Sequence, residues 1–242
     1  MPGKPRFTSV WAREPAPKRA REQPALSRDQ IVRAALELLD AEGLEALSMR
    51  RLGARLGSGA TSIYWHVANK EELLELVLDE VYAEARVPVP AEYGWRDVAA
   101  VFAYGLRGAM INHPWSVTLV GSMPSLGPNA LAAADKLTKA FELAGFSGMS
   151  LDHAVSAVLA YTLGATMPEV SWMNTIGRAN VDTEAWMESM RPQMQVAAAD
   201  YPELLARYKS FENVDMTTSR NLCFDFGLVS MLDGLEARLR QR

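Results

Sequence analysis

Apolar residues recur at helical spacing along nearly the whole chain. Ile31, Ala34, Ala35, Leu38 and Leu39 follow at i, i+3, i+4, i+7 and i+8 behind Ser27-Arg28-Asp29-Gln30, a capping-box pattern, and Gly43 stops the run. The spacing predicts an amphipathic helix of three to four turns. Ser48 is placed to cap a shorter helix in which Met49, Leu52 and Leu56 form the apolar stripe while Arg50, Arg51 and Arg55 project elsewhere, ending at Gly57. Ile63 and Val67 lie four apart and face inward together on a helix of two turns, which turns Thr61, Ser62, Tyr64, Trp65 and His66 outward. Asn69 caps the next helix, with Glu72 at the capping-box position and Leu73, Leu76, Val77 and Val81 on the buried side, and Pro88 and Pro90 close it.

Beyond Pro90 the pattern remains helical, punctuated by Gly, Pro and Asn, with no sustained period of two. Helices are expected near 95–111, 115–122, 128–144, 151–173, 183–198 and 217–240, so the fold class is all-α. Ala154–Gly164 is apolar on nearly every side and is expected to be buried all round, against its own domain and against a partner. The last helix carries two stripes, Leu222, Phe226 and Val229 and separately Phe224, Leu228, Met231 and Leu235. One stripe suffices for an intrachain core; the second suits another interface, the alternative being a well-buried terminal helix.

Composition narrows the class. With 242 residues, 49% apolar content and a net charge of −4, the chain can bury about 70% of its unfolded surface without staples. Cys223 is the lone cysteine and there are three His, so neither an intrachain disulfide nor a Cys/His zinc site is expected, and no cofactor is implied. No apolar run reaches the roughly 20 residues of a membrane span and the N-terminus lacks a signal-peptide core, so a cytoplasmic protein without membrane contact is expected.

The charge is unevenly spread. Residues 1–70 hold 12 Lys/Arg against 7 Asp/Glu, so the acidic excess lies wholly in the remainder. A basic module on an acidic body suggests contact with a polyanion; the plainer alternative is a basic tail on an ordinary acidic domain. Residues 1–26, with Pro2, Pro5, Pro15, Pro17 and Pro24 among their cations, are expected to be a disordered arm. The organisation is thus 1–26 arm, 27–86 first module and 92–242 second module.

Two helices joined by a tight Gly-containing turn, the second short and carrying hydroxyls, aromatics and an imidazole, match a helix-turn-helix, whose second helix enters the DNA major groove. On periodicity alone, Tyr64 and Trp65 could instead cover the first helix. Leu56-Gly57, Ile63-Tyr64-Trp65-His66-Val67 and Asn69-Lys70-Glu71-Glu72-Leu73-Leu74 resemble the recognition-helix signature of TetR-family transcriptional regulators. The similarity extends upstream through Ala34–Leu39 and Glu42–Arg50, covering about 27–75 without gaps.

The resemblance implies that Ser48, Tyr64, His66 and Lys70 meet phosphates and that Arg50, Ala60, Thr61, Ser62 and Trp65 lie at or near bases. The chemistry suits these roles. A helix N-terminus at Ser48, two ring donors and an ammonium fit phosphate, and Arg50 fits a bidentate contact to guanine. Ala60 and the Thr61 methyl can pack on thymine methyls or read shape. Gly59 and Ala60 stand where several relatives carry longer polar side chains, so base readout is expected to be thinner; Gly59 is also expected to weaken the helix start by up to about 1 kcal/mol relative to Ala.

In the second module, Asn112-His113-Pro114-Trp115, Leu143-Ala144-Gly145-Phe146 and Tyr161-Thr162-Leu163-Gly164 resemble, more loosely and over roughly 95–170, the C-terminal domain of the tetracycline-repressor subclass. This implies an effector cavity, with Phe102, Leu106, Met110, Trp115, Phe141, Tyr161, Met167 and Trp172 as lining, each of which also suits plain core. It further implies a homodimer through two helices per subunit, with Val155, Leu159, Leu222, Phe226 and Val229 at the interface. Tetracycline-binding relatives grip a metal chelate with a His, where this chain has Leu119 or Val120, and a carboxylate, one residue from Glu169; a metal-free small-molecule effector is therefore expected. His113, beside Pro114 at a helix break, reads as a satisfied structural histidine.

No phosphate loop, zinc-protease motif or nucleophile elbow is present in the required context, so an enzyme is not expected. Asp152-His153 beside a helix start reads as a capping arrangement. The expected function is a ligand-responsive regulator, a repressor released from a pseudo-palindromic double-stranded DNA operator. The alternative is an architectural DNA-binding protein without an effector.

Overall fold

A computed structural model describes residues 9–12, 26–178, 183–210 and 216–241. The helices are α1 (Arg28–Glu42), α2 (Met49–Arg55), α3 (Ala60–Tyr64), α4 (Lys70–Ala83), α5 (Trp95–Asn112), α6 (Val117–Val120), α7 (Pro128–Leu143), α8 (Met149–Arg178), α9 (Thr183–Ala197), α10 (Pro202–Ser210) and α11 (Met216–Arg240). No strand occurs among the described residues, and no helix is long and apolar enough to cross a membrane. The fold class is all-α, as the periodicity predicts.

Local chemistry sets the helix starts. Ser27 and Gln30 form the reciprocal box, Gln30 N–H donating to Ser27 Oγ at 3.1 Å and Ser27 N–H to Gln30 Oε1 at 2.8 Å. Ser48 caps α2 by accepting from Arg51 N–H at 3.2 Å, and Asn69 caps α4 by accepting from Glu72 N–H at 2.7 Å. The Glu72 carboxylate accepts from Ala68 N–H, so the residue before the cap is tied down as well.

The chain forms two compact units, Met1–Thr162 and Leu163–Arg242. Within the first unit α4 packs on α5, α6 and α7, and α1 touches the 3-10 turn Pro114–Ser116, so the first module and α5–α7 share one core. Ile31, Leu38, Leu52, Ile63 and Leu73 fill its head end and Leu106, Met110, Leu137 and Phe141 its far end. Trp95, Phe141 and Phe146 close it, with ring centroids 5.1–5.9 Å apart.

Three expectations are corrected. Ser9 and the 3-10 turn Val10–Ala12, assigned by composition to the disordered arm, dock on α4; residues 1–8 and 13–25 of that arm lie outside the described residues. α10 has no counterpart in the periodicity reading, being short and without a buried residue to mark its face. α8 runs past the expected end at 173, through Pro168, to Arg178.

In the second unit, Phe224, Leu228 and Leu232 are the buried face of α11, while Leu222, Phe226 and Val229 are exposed. Trp172 of α8 and Trp186 of α9 meet edge to face at 4.9 Å.

Candidate functional site

The loop from α2 to α3 is built on close approach. A Cβ on Gly53 would stand 2.9 Å from Ser58 O and 3.0 Å from Ala60 N, so α2 can receive the turn only where it has no side chain. Gly57 takes φ 63°, the left-handed conformation that ends α2 and reverses the chain. Ser58 N–H then donates to Gly53 O at 2.9 Å. Gly53 went unnoticed in the sequence; its signal is a glycine inside a helical pattern seven residues before Ala60.

α3 is a single turn and a half, anchored by Ile63 and Val67, which are fully buried. Its N-cap is Gly59, in extended conformation and with no side-chain cap. The expected penalty at Gly59 is thereby corrected: it applies to a helix interior, whereas at an N-cap Gly is preferred to Ala.

The outward set sits as the four-residue spacing requires. Tyr64 is half exposed and Trp65 is 79% exposed, Thr61 is exposed, and Ala60, Ser62 and His66 are half-buried. Thus Tyr64 and Trp65 do not cover α1. Ser48 Oγ spends a lone pair on the cap and keeps its O–H to donate. Lys70 Nζ donates to Leu44 O at 3.4 Å, which holds the ammonium at the start of α4.

The three arginines of α2 part company. Arg51 pairs with Glu42 and Arg55 with Glu37 at 2.9 Å, both reaching back to α1. Arg50 is exposed on the same short helix as the Ser48 cap. A cleft of about 390 Å³ lies between Trp11, α1 and α4. There burial, with Asp79 and Asp29 nearby and Arg33 opposing, raises the Glu80 carboxyl above its ordinary range.

The expected effector residues divide. Phe102, Leu106 and Met110 lie on the buried face of α5 and Phe141 is fully buried in the aromatic cluster with Trp95 and Phe146. Trp115 is buried and its Nε1–H donates to Asp40 Oδ1 of α1 at 2.7 Å. Phe141 and Trp115 are thus held by protein contacts. Tyr161 and Met167 are half-buried along α8 and Trp172 is 37% exposed.

The expected interface residues are unburied within one chain. On α8, Ala154 and Val158 are buried whereas Val155 is half-buried and Leu159 exposed, so Ala154–Gly164 has one buried face and one face open within a single chain. Leu222, Phe226 and Val229 form the exposed apolar stripe of α11 already noted. Among the described residues no three His, Cys, Asp or Glu side chains come together to hold a metal.

These features agree with what the chain is similar to. Residues 31–77 match the family of bacterial regulatory proteins of the tetR type and residues 87–239 the tetracyclin repressor-like C-terminal domain. An HTH-type transcriptional regulator of Saccharopolyspora erythraea is 38% identical over 83% of this chain and 81% of its own. The HTH-type transcriptional repressor DrrR1 of Streptomyces coeruleorubidus is 32% identical over 96% and 85%. The crystal structure of the TetR family protein ActR of Streptomyces coelicolor, in complex with actinorhodin, superposes with a TM-score of 0.73 at 27% identity, covering 89% of this chain and 97% of that one. These relatives are regulators and not enzymes, and on the length and identity of the match this chain belongs to the TetR family of DNA-binding transcriptional regulators.

Proposed function

We propose that the chain is a homodimeric repressor that holds a pseudo-palindromic operator through two helix-turn-helix heads and leaves it when a small, hydrophobic, metal-free effector binds residues 92–242. The observation that carries this reading is the outer face of α3. A large apolar side chain kept in water forgoes about 1.5–3 kcal/mol of burial, and Trp65 is 79% exposed beside Thr61, Ser62 and Tyr64. Such a face suits a groove that supplies methyl groups, base edges and phosphates together. Arg50, Ser48, His66 and Lys70 flank it as base-reading and phosphate-holding groups.

The dimer reading rests on Leu222, Phe226 and Val229 in α11 and on Val155 and Leu159 in α8, apolar positions that a second copy would cover. Two-fold symmetry then asks for half-sites about one helical turn, ~34–36 Å, or a multiple apart. The effector reading draws support from ActR, whose actinorhodin complex shares this fold. Phe102, Leu106, Met110, Trp115, Phe141 and Tyr161 are the side chains assigned to it. By linkage, effector and operator weaken each other's binding by one factor.

The test is selection of duplexes from a random pool with the full chain, followed by titration of the selected duplex with actinorhodin and other planar hydrophobic compounds in EDTA. An inverted repeat bound by one dimer and released by such a compound is expected. Sequence-independent coating of DNA, unaffected by every compound, would instead make the protein architectural.

A further inference from the structure

α1 and α4 each end in a way that is electrostatically unfavourable. Asp40 stands in the last turn of α1 and Glu84 is the C-cap of α4, positions where the helix dipole opposes negative charge, and neither helix has a basic residue in its last turn. One imidazole answers both. His113, the buried C-cap of α5, directs Nδ1 to Asp40 Oδ1 at 2.7 Å and Nε2 to Glu84 Oε1 at 2.9 Å, and Trp115 Nε1–H donates to the same Asp40 oxygen.

We propose that His113 is the positioning residue of the DNA-binding head: carrying a proton on each ring nitrogen, it pins the C-terminal ends of α1 and α4 to the end of α5 and so fixes the direction in which α3 points. The chemistry requires both protons. Each carboxylate oxygen accepts only, so a neutral ring can donate to one of them and must set a lone pair against the other. Losing one proton therefore opens either the α1 or the α4 contact, and the freed helix end loosens against α5 while the shared core holds.

The surroundings agree in sign. Burial by itself would lower the His113 pKa, but the hydrogen bonds to Asp40 and Glu84 and the charges of both outweigh it and raise the value above the ordinary 6.5. Of the elements around the ring, α1 supplies Asp40, α4 supplies Glu84, and neither the Pro114–Ser116 turn nor Arg107 of α5 is among the charges that move it. A raised folded-state pKa means that the joint is fully formed below pH 6.5 and is lost as pH rises through the folded value. Asp40 and Glu84 are about a third or more exposed, so salt weakens the joint without abolishing it.

The assignment rests on the regulator reading for its consequence, but its first test does not involve DNA. In the full chain, the imidazole signals are assigned by substituting His66, His113 and His153 in turn and titrated by NMR. Amide exchange is followed at 38–44 and 110–117, corrected for its intrinsic pH dependence. Expected is a His113 pKa above 6.5 that falls in Asp40→Asn and in Glu84→Gln, with exchange in both segments rising about fivefold or more as the proton leaves. In His113→Gln the exchange is high at every pH. With the selected duplex, wild-type affinity falls over the same pH interval, since a loosened helix end must be ordered on binding, and that fall is reduced in His113→Gln. A His113 pKa at or below 6.5, or exchange without a pH step in the wild type, overturns the proposal. Should His113→Gln not fold, the wild-type titration and the two carboxylate variants still decide it. Failure to select any duplex would sink the regulator reading while leaving the joint measured.

Discussion

Asp79 of α4 caps α7 across the loop that Gly127 leaves open for it. Its Oδ1 accepts from Ala130 N–H at 2.9 Å and its Oδ2 from Asn129 N–H at 3.1 Å, satisfying two amides at the start of a helix from another element. Any side chain at Gly127 would collide with it, since a Cβ there would lie 2.7 Å from Asp79 Cβ and nearer still to the carboxylate. Three residues along α4, Tyr82 and Ser125 share a hydrogen bond of 2.9 Å, and burial raises the phenol pKa. α4 is thus bolted to the α7 end of the body as well as to His113.

Gly127→Ala should therefore destabilise the protein by about 1–3 kcal/mol, the usual range for overpacking. The backbone there is already in an Ala-compatible region, φ −72°, so no conformational strain adds to this. Urea titration of the variant checks it, and Asp79→Asn, which keeps one acceptor oxygen and introduces donors toward the α7 amides, should lose a comparable amount.

Gly53→Ala sets two effects against each other. In an open helix the change would gain about 1 kcal/mol, but here the new carbon meets the backbone of Ser58 and Ala60, which cannot rotate away. The clash wins, with a net loss of about 1–3 kcal/mol. Because α3 starts at Ala60, DNA binding should weaken at temperatures where circular dichroism still reports a folded chain.

Arg50→Ala and Lys70→Ala should differ in kind. Loss of the Lys70 ammonium should weaken all duplexes alike and reduce the slope of log K against log salt by about one. Arg50→Ala should relax the preference at one base position by about 1–3 kcal/mol. Uniform weakening by both substitutions in a binding-site selection would remove Arg50 from the base-reading set.

The N-terminal turn should prove structural. Ser9 Oγ and Val10 N–H both donate to Glu75 Oε2, at 2.6 and 3.1 Å, and Trp11 lies beneath the Arg28 guanidinium at 5.5 Å. Glu75 is 2% exposed and its other oxygen is buried without a hydrogen bond, so the carboxylate depends on this turn. Ser9→Ala should cost about 1–3 kcal/mol. Replacing the acceptor too, in Ser9→Ala with Glu75→Leu, should recover part of that loss, because no charge is then stranded although Val10 N–H loses its acceptor. Urea titration of both variants checks this, and a Ser9→Ala variant as stable as the wild type would show that the Ser9 hydrogen bond is not what anchors the turn.

The parts of this protein that were legible in its sequence are those where one residue type has one local job. Ser27, Ser48 and Asn69 cap the helices they precede, and Ile63 with Val67 sets which side of α3 faces water. What stayed hidden depends on residues far apart in sequence. Asp40 and His113 are 73 positions apart and Ser9 and Glu75 are 66 apart, and nothing in the local pattern announces either meeting. The contacts of Trp115 and Phe141 are hidden in the same way: an aromatic residue at a helical position gives the same periodic signal whether it faces a ligand, an aspartate or two other rings.

α3 has no side-chain cap and little more than one turn of its own, so it is helical because Ile63, Val67 and the Gly53 contact hold it against its neighbours. The side chains that would read DNA contribute little to that hold. Thr61, Ser62, Tyr64 and Trp65 could be exchanged for others with small changes in folding energy, and the head could acquire a new operator by drift on this one surface. In such a design the vocabulary of recognition evolves separately from the scaffold that presents it.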